Sequence, residues 1–229
     1  FRRVLFRSLI RMTYEDVQWG PPPCDTAIWL DRVVDPDCKL KFQATPAGVR
    51  MDGQFDGGVR FRVQAAVRTD GQVSVDRGRL LVRGAKEIVI AVNIGVSVRG
   101  RKAADECGPL EVPAGSWDEL LAAHRREHQR HYGGLALEMP LPVPDLPTDQ
   151  RIAAYRRGAD DPALPLLYFN YGRYLLCASC ANAEQPPNLQ GKWNEYLRPP
   201  WDCDLHQDIN LEMCYWPAES GHLHAYTNA

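Results

Sequence analysis

No stretch of this chain is long and apolar enough to cross a membrane as a helix. Its most hydrophobic window, EIVIAVNIGVSV, is interrupted by Asn93 and Gly95 and falls short of the roughly 18 residues a span requires. A charge surplus is also missing. The 27 Lys and Arg against 29 Asp and Glu leave a formal net charge of −2, which gives neither nucleic acid nor an anionic membrane an electrostatic footprint. The seven cysteines are odd in number and lack the spacing of a disulfide framework. Cys177 and Cys180 form a C-x-x-C, but zinc needs four ligands, and only Cys203 and Cys214 stand nearby. Reduced, partly buried thiols are the expectation, with no metal. Asp202 and Asp204 begin no regular calcium-loop pattern and read as braces of their loop. No cofactor is expected.

What is present is an ordinary globular composition, 45% hydrophobic and 24% charged. The first eight residues, FRRVLFRS, stand apart: they are basic and match no later pattern. They equal the translation of a common sequencing-adapter end, so Phe1 to Ser8 are read as adapter read-through and set aside from the fold. Residues 9–98 carry strand signals and read as the C-terminal part of a β-sandwich domain. Val59, Phe61 and Val63 alternate, Asp70-Gly71 is a turn dipeptide, and the run Ile88–Val98 suits a strand buried on both faces. GPPPCD, DPDC and FDGG read as turns.

Residues 99–147 read as a helical linker. Ser116 and Glu119 form a capping box at the head of SWDELLAAHRREHQRHY, placing Leu120, Leu121, His124 and His128 on one side. His124, His128 and His131 are expected on a partly solvated face. The proline-rich MPLPVPDLPTDQ follows as an extended connector. From 148 to 229 helices dominate, with Thr148 as an expected cap and ALPLLYFNYGRYLLCASCANA as a longer apolar helix.

The chemistry concentrates after that helix, in EQPPNLQGKWNEYLRPPWDCDLHQDINLEMCYWPAE. Two Pro-Pro pairs stiffen a long irregular stretch that carries Trp193, Tyr196 and Trp201 among acids, amides and His206. Loops of this length are usually functional or disordered, and three large aromatics argue against disorder. Catalytic clefts mix apolar walls with a few convergent polar groups. A carbohydrate site fits: aromatic faces such as Trp193 and Trp201 take the apolar side of a pyranose, while Asn, Gln, Asp and His side chains, Asn194 and His206 among them, bond its hydroxyls. His206, Asp208 and Asn210 alternate, so on an extended segment they would share one side. Ile209, Met213 and Trp216 have core spacing in the helix that follows, which Pro217 ends or kinks.

YFNYGRYLL, PPNLQGKWN and LRPPWDCDLHQDINLEMCYWPAE, in this order, closely resemble glycoside hydrolase family 95, the inverting 1,2-α-L-fucosidases. The resemblance covers nearly all of residues 164 to 223. It implies a β-domain followed by an (α/α)6 toroid, of which this chain carries the first helices. It also implies that a fragment of this length is inactive and leaves apolar helix faces uncovered. The family's His-x-Asn-x-Asn segment stands here as His206-Gln207-Asp208-Ile209-Asn210. By that resemblance His206 recognises the fucose and Asn210 orients the attacking water. Asp208 replaces an asparagine of the family pattern. Inversion requires an acid and a base on opposite faces of the sugar, and a carboxylate at Asp208 could accept the water's proton directly. The family's general acid, a glutamate, and its partner aspartate lie on later helices, and Glu212 and Glu219 match neither. The implied partner is a fucosylated oligosaccharide or glycan. An α-L-galactosidase, an (α/α)6 phosphorylase and a non-catalytic carbohydrate-binding protein are the alternatives.

Overall fold

The structure is a computed structural model and describes residues 8–13, 24–97, 107–181, 186–190, 193–194 and 196–227. Residues 1–7 of the segment set aside at the N-terminus lie outside the described residues, and Ser8 opens the first strand. The chain forms two compact units that divide between Leu120 and Leu121.

The first unit is built from antiparallel sheets. One has the order β1-β8-β5-β4-β3, from Ser8–Thr13, Glu87–Val96, Arg60–Thr69, Gly48–Phe55 and Cys38–Thr45. The other has the order β2-β7-β6, from Cys24–Ile28, Arg79–Ala85 and Gln72–Asp76. Period-2 alternation sends Val49, Ala65, Ile88 and Ile90 of the larger sheet inward to meet Leu80, Val82 and Ala85 of the smaller. The two inner faces therefore share one core, as in a β-sandwich. β8 is the strand buried on both faces, since Ile88, Val89, Ile90 and Ala91 are buried consecutively. Its outer side is continuous with β5, whose own outer side receives the chain again: Cys107 Sγ donates to the Arg62 carbonyl at 3.3 Å. Arg68 donates to the carbonyls of Pro113 (2.9 Å) and Gly115 (3.0 Å).

The turn chemistry differs from expectation at one point. Asp70-Gly71 does not close a hairpin, because β5 and β6 belong to different sheets. Asp70 instead accepts the amides of Lys86 (2.9 Å) and Glu87 (3.0 Å), the corner where β7 hands over to β8. The two places where the chain switches sheets are thus fastened to each other. The amide of Glu87 and then that of Lys86 hold the Asp70 carboxyl below its ordinary range. The tight hairpin of the smaller sheet lies at Arg77-Gly78. Both residues have left-handed φ (46° and 76°), as the two-residue turn between right-twisted strands demands. Cys24 and Asp25 of GPPPCD are strand rather than turn.

Helices α1 (Trp117–Tyr132), α2 (Thr148–Arg156), α3 (Leu164–Cys180), α4 (Ile209–Tyr215) and α5 (Pro217–Ser220) follow. The capping box is formed: Ser116 N donates to Glu119 Oε2 at 2.7 Å, and Glu119 N to Ser116 Oγ at 3.3 Å. Thr148 is not a cap. It is the first helical residue of α2, and the extended Pro147 before it supplies the first carbonyl, to Arg151 N. The MPLPVPDLPTDQ connector is irregular up to that point.

The helical core is small and partly polar. Leu176, Cys177, Cys180, Ala218 and Leu223 form its centre, with Tyr132, Tyr215 and Tyr226 packed against it. The thiol of Cys177 lies 3.6 Å from the Tyr226 hydroxyl and that of Cys180 3.7 Å from the Tyr215 hydroxyl. Burial pushes the Cys177 thiol up, so the C-x-x-C serves as a buried apolar ridge of α3. Arg173 is fully buried and meets no carboxylate among the described residues. Its guanidinium donates to the carbonyls of Gly221 (2.8 Å), Leu135 (3.0 Å) and Tyr132 (2.9 Å) and stacks on the Tyr132 ring at 4.3 Å. Two of those carbonyls close helices α1 and α5, where a cation is favoured by the orphan acceptors and the dipole. A second buried cation, Arg151, makes a two-pronged pair with Asp161 at 2.8 and 2.9 Å.

His131 does not face solvent freely. Its Nδ1 lies 2.7 Å from the Tyr226 hydroxyl and its Nε2 3.0 Å from Glu127. Ile209, Met213 and Trp216 are exposed rather than core; α4 turns Cys214 and Tyr215 inward, and Trp216 is its C-cap. No described helix is long and apolar enough to cross a membrane.

Candidate active site

The loop after α3 and the segment leading into α4 are joined by one main-chain bond: Leu189 N donates to the Asp204 carbonyl at 3.2 Å. This places PPNLQ beside DCDLH, two motifs with eleven residues between them in the sequence. The second motif is unusually shaped. Trp201, Asp202 and Cys203 follow one another in left-handed conformation (φ 50°, 53° and 52°), a region non-glycine residues rarely occupy. Asp204 then returns to an extended conformation. Such runs persist only where the surroundings impose them, and they cluster at functional sites.

His206 emerges from this segment with its Nε2 2.6 Å from Asp204 Oδ1. Asp204 is therefore more than a loop brace. Gln207 and Asp208 form a turn, so the extended path expected from 206 to 210 is broken. Asp208 sits at the N-cap of α4 with φ 68° and ψ −140°, and its side chain caps no amide. Asn210 enters from the first turn of α4 instead of alternating with His206 along a strand. Asp208 and Asn210 are exposed and His206 is half-buried.

Trp193, Asn194 and Trp201 are arranged differently from one another. Asn194 is held by its own loop, its amide nitrogen donating to Gln190 Oε1 and its oxygen accepting Tyr196 N at 2.6 Å. Trp193 is half exposed and tilts against Tyr174 with ring centres 6.5 Å apart. Trp201 is 75% exposed, as expected of a residue at the crest of a left-handed turn.

A cleft of about 280 Å³ opens between α3 and the PPNLQ loop, with Leu175, Leu176, Asn188, Gln190, Trp193 and Cys214 among its walls. Burial raises the Cys214 thiol at its floor, which makes that sulfur a wall and not a nucleophile. Among the described residues, Asn188 Oδ1 is buried without a hydrogen-bond partner. Of the expected site residues only Trp193 lines this cleft; His206, Asp208 and Asn210 present their groups elsewhere. Among the described residues no group of three or more His, Cys, Asp or Glu is placed to hold a metal ion.

The expected site therefore resolves into an oriented histidine, a cap carboxylate, a first-turn amide and exposed indole faces. Sequence reasoning missed the roles of Asp204 toward His206 and of Gln190 toward Asn194. The Asp-x-His spacing before a helix was the available signal for the first.

Residues 116–229 match the sequence model of the glycosyl hydrolase family 95 catalytic domain. Over that half the chain belongs to glycosyl hydrolase family 95. The chain is 36% identical over 106 residues to a probable alpha-fucosidase A of Aspergillus niger, covering 45% of this chain and 13% of that protein. It is 34% identical over 114 residues to alpha-L-fucosidase 2 of Arabidopsis thaliana, covering 47% of this chain and 13% of the plant protein. A probable alpha-fucosidase A of Aspergillus oryzae is 29% identical over 229 residues, 88% of this chain and 31% of that one. The chain thus spans about an eighth of the length of the first two relatives, and the third alignment extends the likeness into the strand unit. The family 95 match contains every residue expected at the site, from Trp193 to Asn210.

Proposed function

We propose that this chain belongs to an inverting exo-glycosidase that removes terminal α-1,2-linked L-fucose from oligosaccharides or glycans. The observation that carries the reading is the family 95 match over residues 116–229, in which the site segment lies. The names of the related proteins from Aspergillus and Arabidopsis point to the same sugar. In this reading the strands and linker lead into an (α/α)6 toroid whose first helices are α2 to α5, with domains at 9–98, 99–147 and 148–229.

His206 holds the fucose, with the Trp193 and Trp201 indoles and Asn194 completing the contacts. Asn210 orients the attacking water, and Asp208 takes its proton. A carboxylate oxygen is a competent proton acceptor where an amide oxygen is far too weak a base. The left-handed conformation of Asp208 supports a site held in place by its surroundings. The general acid that inversion requires is supplied by a glutamate beyond these residues.

The test is sugar release by the full-length enzyme from an α-1,2-fucosylated oligosaccharide, run beside an L-galactoside and with and without inorganic phosphate. Phosphate-independent release of fucose is expected. Preference for the galactoside, a requirement for phosphate, or binding without release would each replace the reading with a different one. Asp208→Asn is expected to lower kcat; unchanged or faster turnover would remove the proton-accepting role from Asp208.

A further inference from the structure

We infer that Asp204 is the positioning residue of His206, fixing which ring nitrogen the sugar meets. The inference deepens the proposed fucosidase reading and rests on it for the identity of the sugar. Three observations carry it. His206 Nε2 lies 2.6 Å from Asp204 Oδ1, the short range of a charge-assisted bond. The Asp204 main chain is fastened on both sides, its carbonyl accepting Leu189 N at 3.2 Å and its amide donating to the Trp201 carbonyl at 3.4 Å. The left-handed run Trp201–Cys203 ends at Asp204, so the strained backbone is spent on placing this carboxylate.

The chemistry follows from the inventory of protons. An ionised carboxylate only accepts, so the nitrogen facing Asp204 must be the one that carries hydrogen. Neutral His206 then has its proton on Nε2 and presents Nδ1 as a bare acceptor. A sugar hydroxyl meeting His206 donates to it and does not accept from it. With the carboxylate gone, the ring can rotate about its side-chain torsions and either nitrogen can face the sugar. Orientation of a ligating histidine by a carboxylate on its other nitrogen is the same device that metal sites use. Here the object held is a hydroxyl.

Asp204 touches no sugar in this account, and its effect passes through His206. That makes a double-mutant cycle decisive. In the full-length enzyme Asp204→Ala is expected to raise KM for the fucoside roughly tenfold, the usual lower bound for losing an orienting partner, while kcat changes much less. Asp204→Asn, whose amide oxygen still accepts the ring N–H, is expected to recover most of the loss. Asp204→Ala combined with His206→Ala is expected to be no worse than His206→Ala alone. Additive losses, or a His206→Ala defect with Asp204→Ala equal to wild type, would overturn the inference.

A second readout is independent of turnover. In ¹⁵N-histidine-labelled enzyme, His206 should show a protected Nε2–H proton shifted downfield by the carboxylate, and Asp204→Ala should abolish it. A bare Nε2 in the wild type, or a signal unchanged in Asp204→Ala, overturns the inference whatever the substrate. If fucosides prove inert yet the signal behaves as expected, the sugar assignment fails and the pairing stands.

Discussion

The strand unit and the helical unit are held together by different means. In the strand unit the core is apolar and continuous: Leu80, Val82 and Ile88 are fully buried and meet across two sheets. Asp70 fastens a corner there, and Asn93 is a buried polar side chain within β8. In the helical unit the largest fully buried side chain is an arginine, and the thiols of the core approach phenols. Leu176 and Leu223 are buried beside them, while aromatics such as Tyr168 (78%) and Trp216 (65%) stay largely exposed. One unit depends on area removed from water and the other on a few polar fasteners at helix ends. Uniform apolar packing tolerates local loss, whereas a fastener that serves three backbone groups fails all at once.

The largest difference between the units is expected at Arg173. Arg173→Met removes the donor to one buried and two half-buried carbonyls and should destabilise the helical unit by about 3 kcal/mol. Segment-resolved hydrogen exchange should show faster exchange across 164–180 and no change across 79–96. Arg173→Lys should recover only part, since one ammonium cannot span carbonyls arranged for a planar fork. Equal acceleration in both units would show that the two are not separately secured.

Leu80→Ala is the mirror experiment. It removes a fully buried side chain from the sandwich core and should cost about 3 kcal/mol, read as faster exchange in β6 to β8 with α3 untouched.

Acid should act on the helical unit through its buried ion pair. The Arg151 guanidinium holds the Asp161 carboxyl below its unfolded value of 3.8. A carboxylate whose folded pKa is depressed stabilises fully above the unfolded pKa and loses that contribution as pH falls through the folded one. Glu127, drawn down to about 2 by Arg130 and then His131, acts in the same direction between 4.5 and about 2, though solvent screens it. The helical unit of the wild type should therefore weaken below about pH 4. Asp161→Asn should be less stable at neutral pH and show a flatter acid limb. An unchanged limb by circular dichroism would remove the pair from the account.

The smallest effect is expected where the chain passes from one unit to the other. Ser116→Ala opens the capping box and should cost about 1 kcal/mol, visible as fraying of the first turn of α1.

Those same residues show what was readable from sequence. The capping box, the doubly buried β8 and the helix over the C-x-x-C depend on neighbours a few positions away, and the structure has them all. Asp70-Gly71 has the composition of a hairpin turn, but whether a turn closes a hairpin depends on which sheet the next strand joins. Thr148 was outcompeted by Pro147, whose extended conformation already fits the position before a helix. Ile209, Met213 and Trp216 have core spacing, yet the short α4 buries Cys214 and Tyr215 instead. Arg173 was illegible for a simpler reason: its partners are backbone carbonyls, which carry no letter in a sequence. In the site segment the residue types were visible, and the pairing of His206 with Asp204 required the left-handed turn before it.

The proposed inverting hydrolysis is read out by proton NMR of the first product that the full-length enzyme forms from an α-1,2-fucosylated oligosaccharide. β-L-Fucose is expected before mutarotation, the outcome of a single displacement by water. α-L-Fucose appearing first, or no fucose at all, would contradict it.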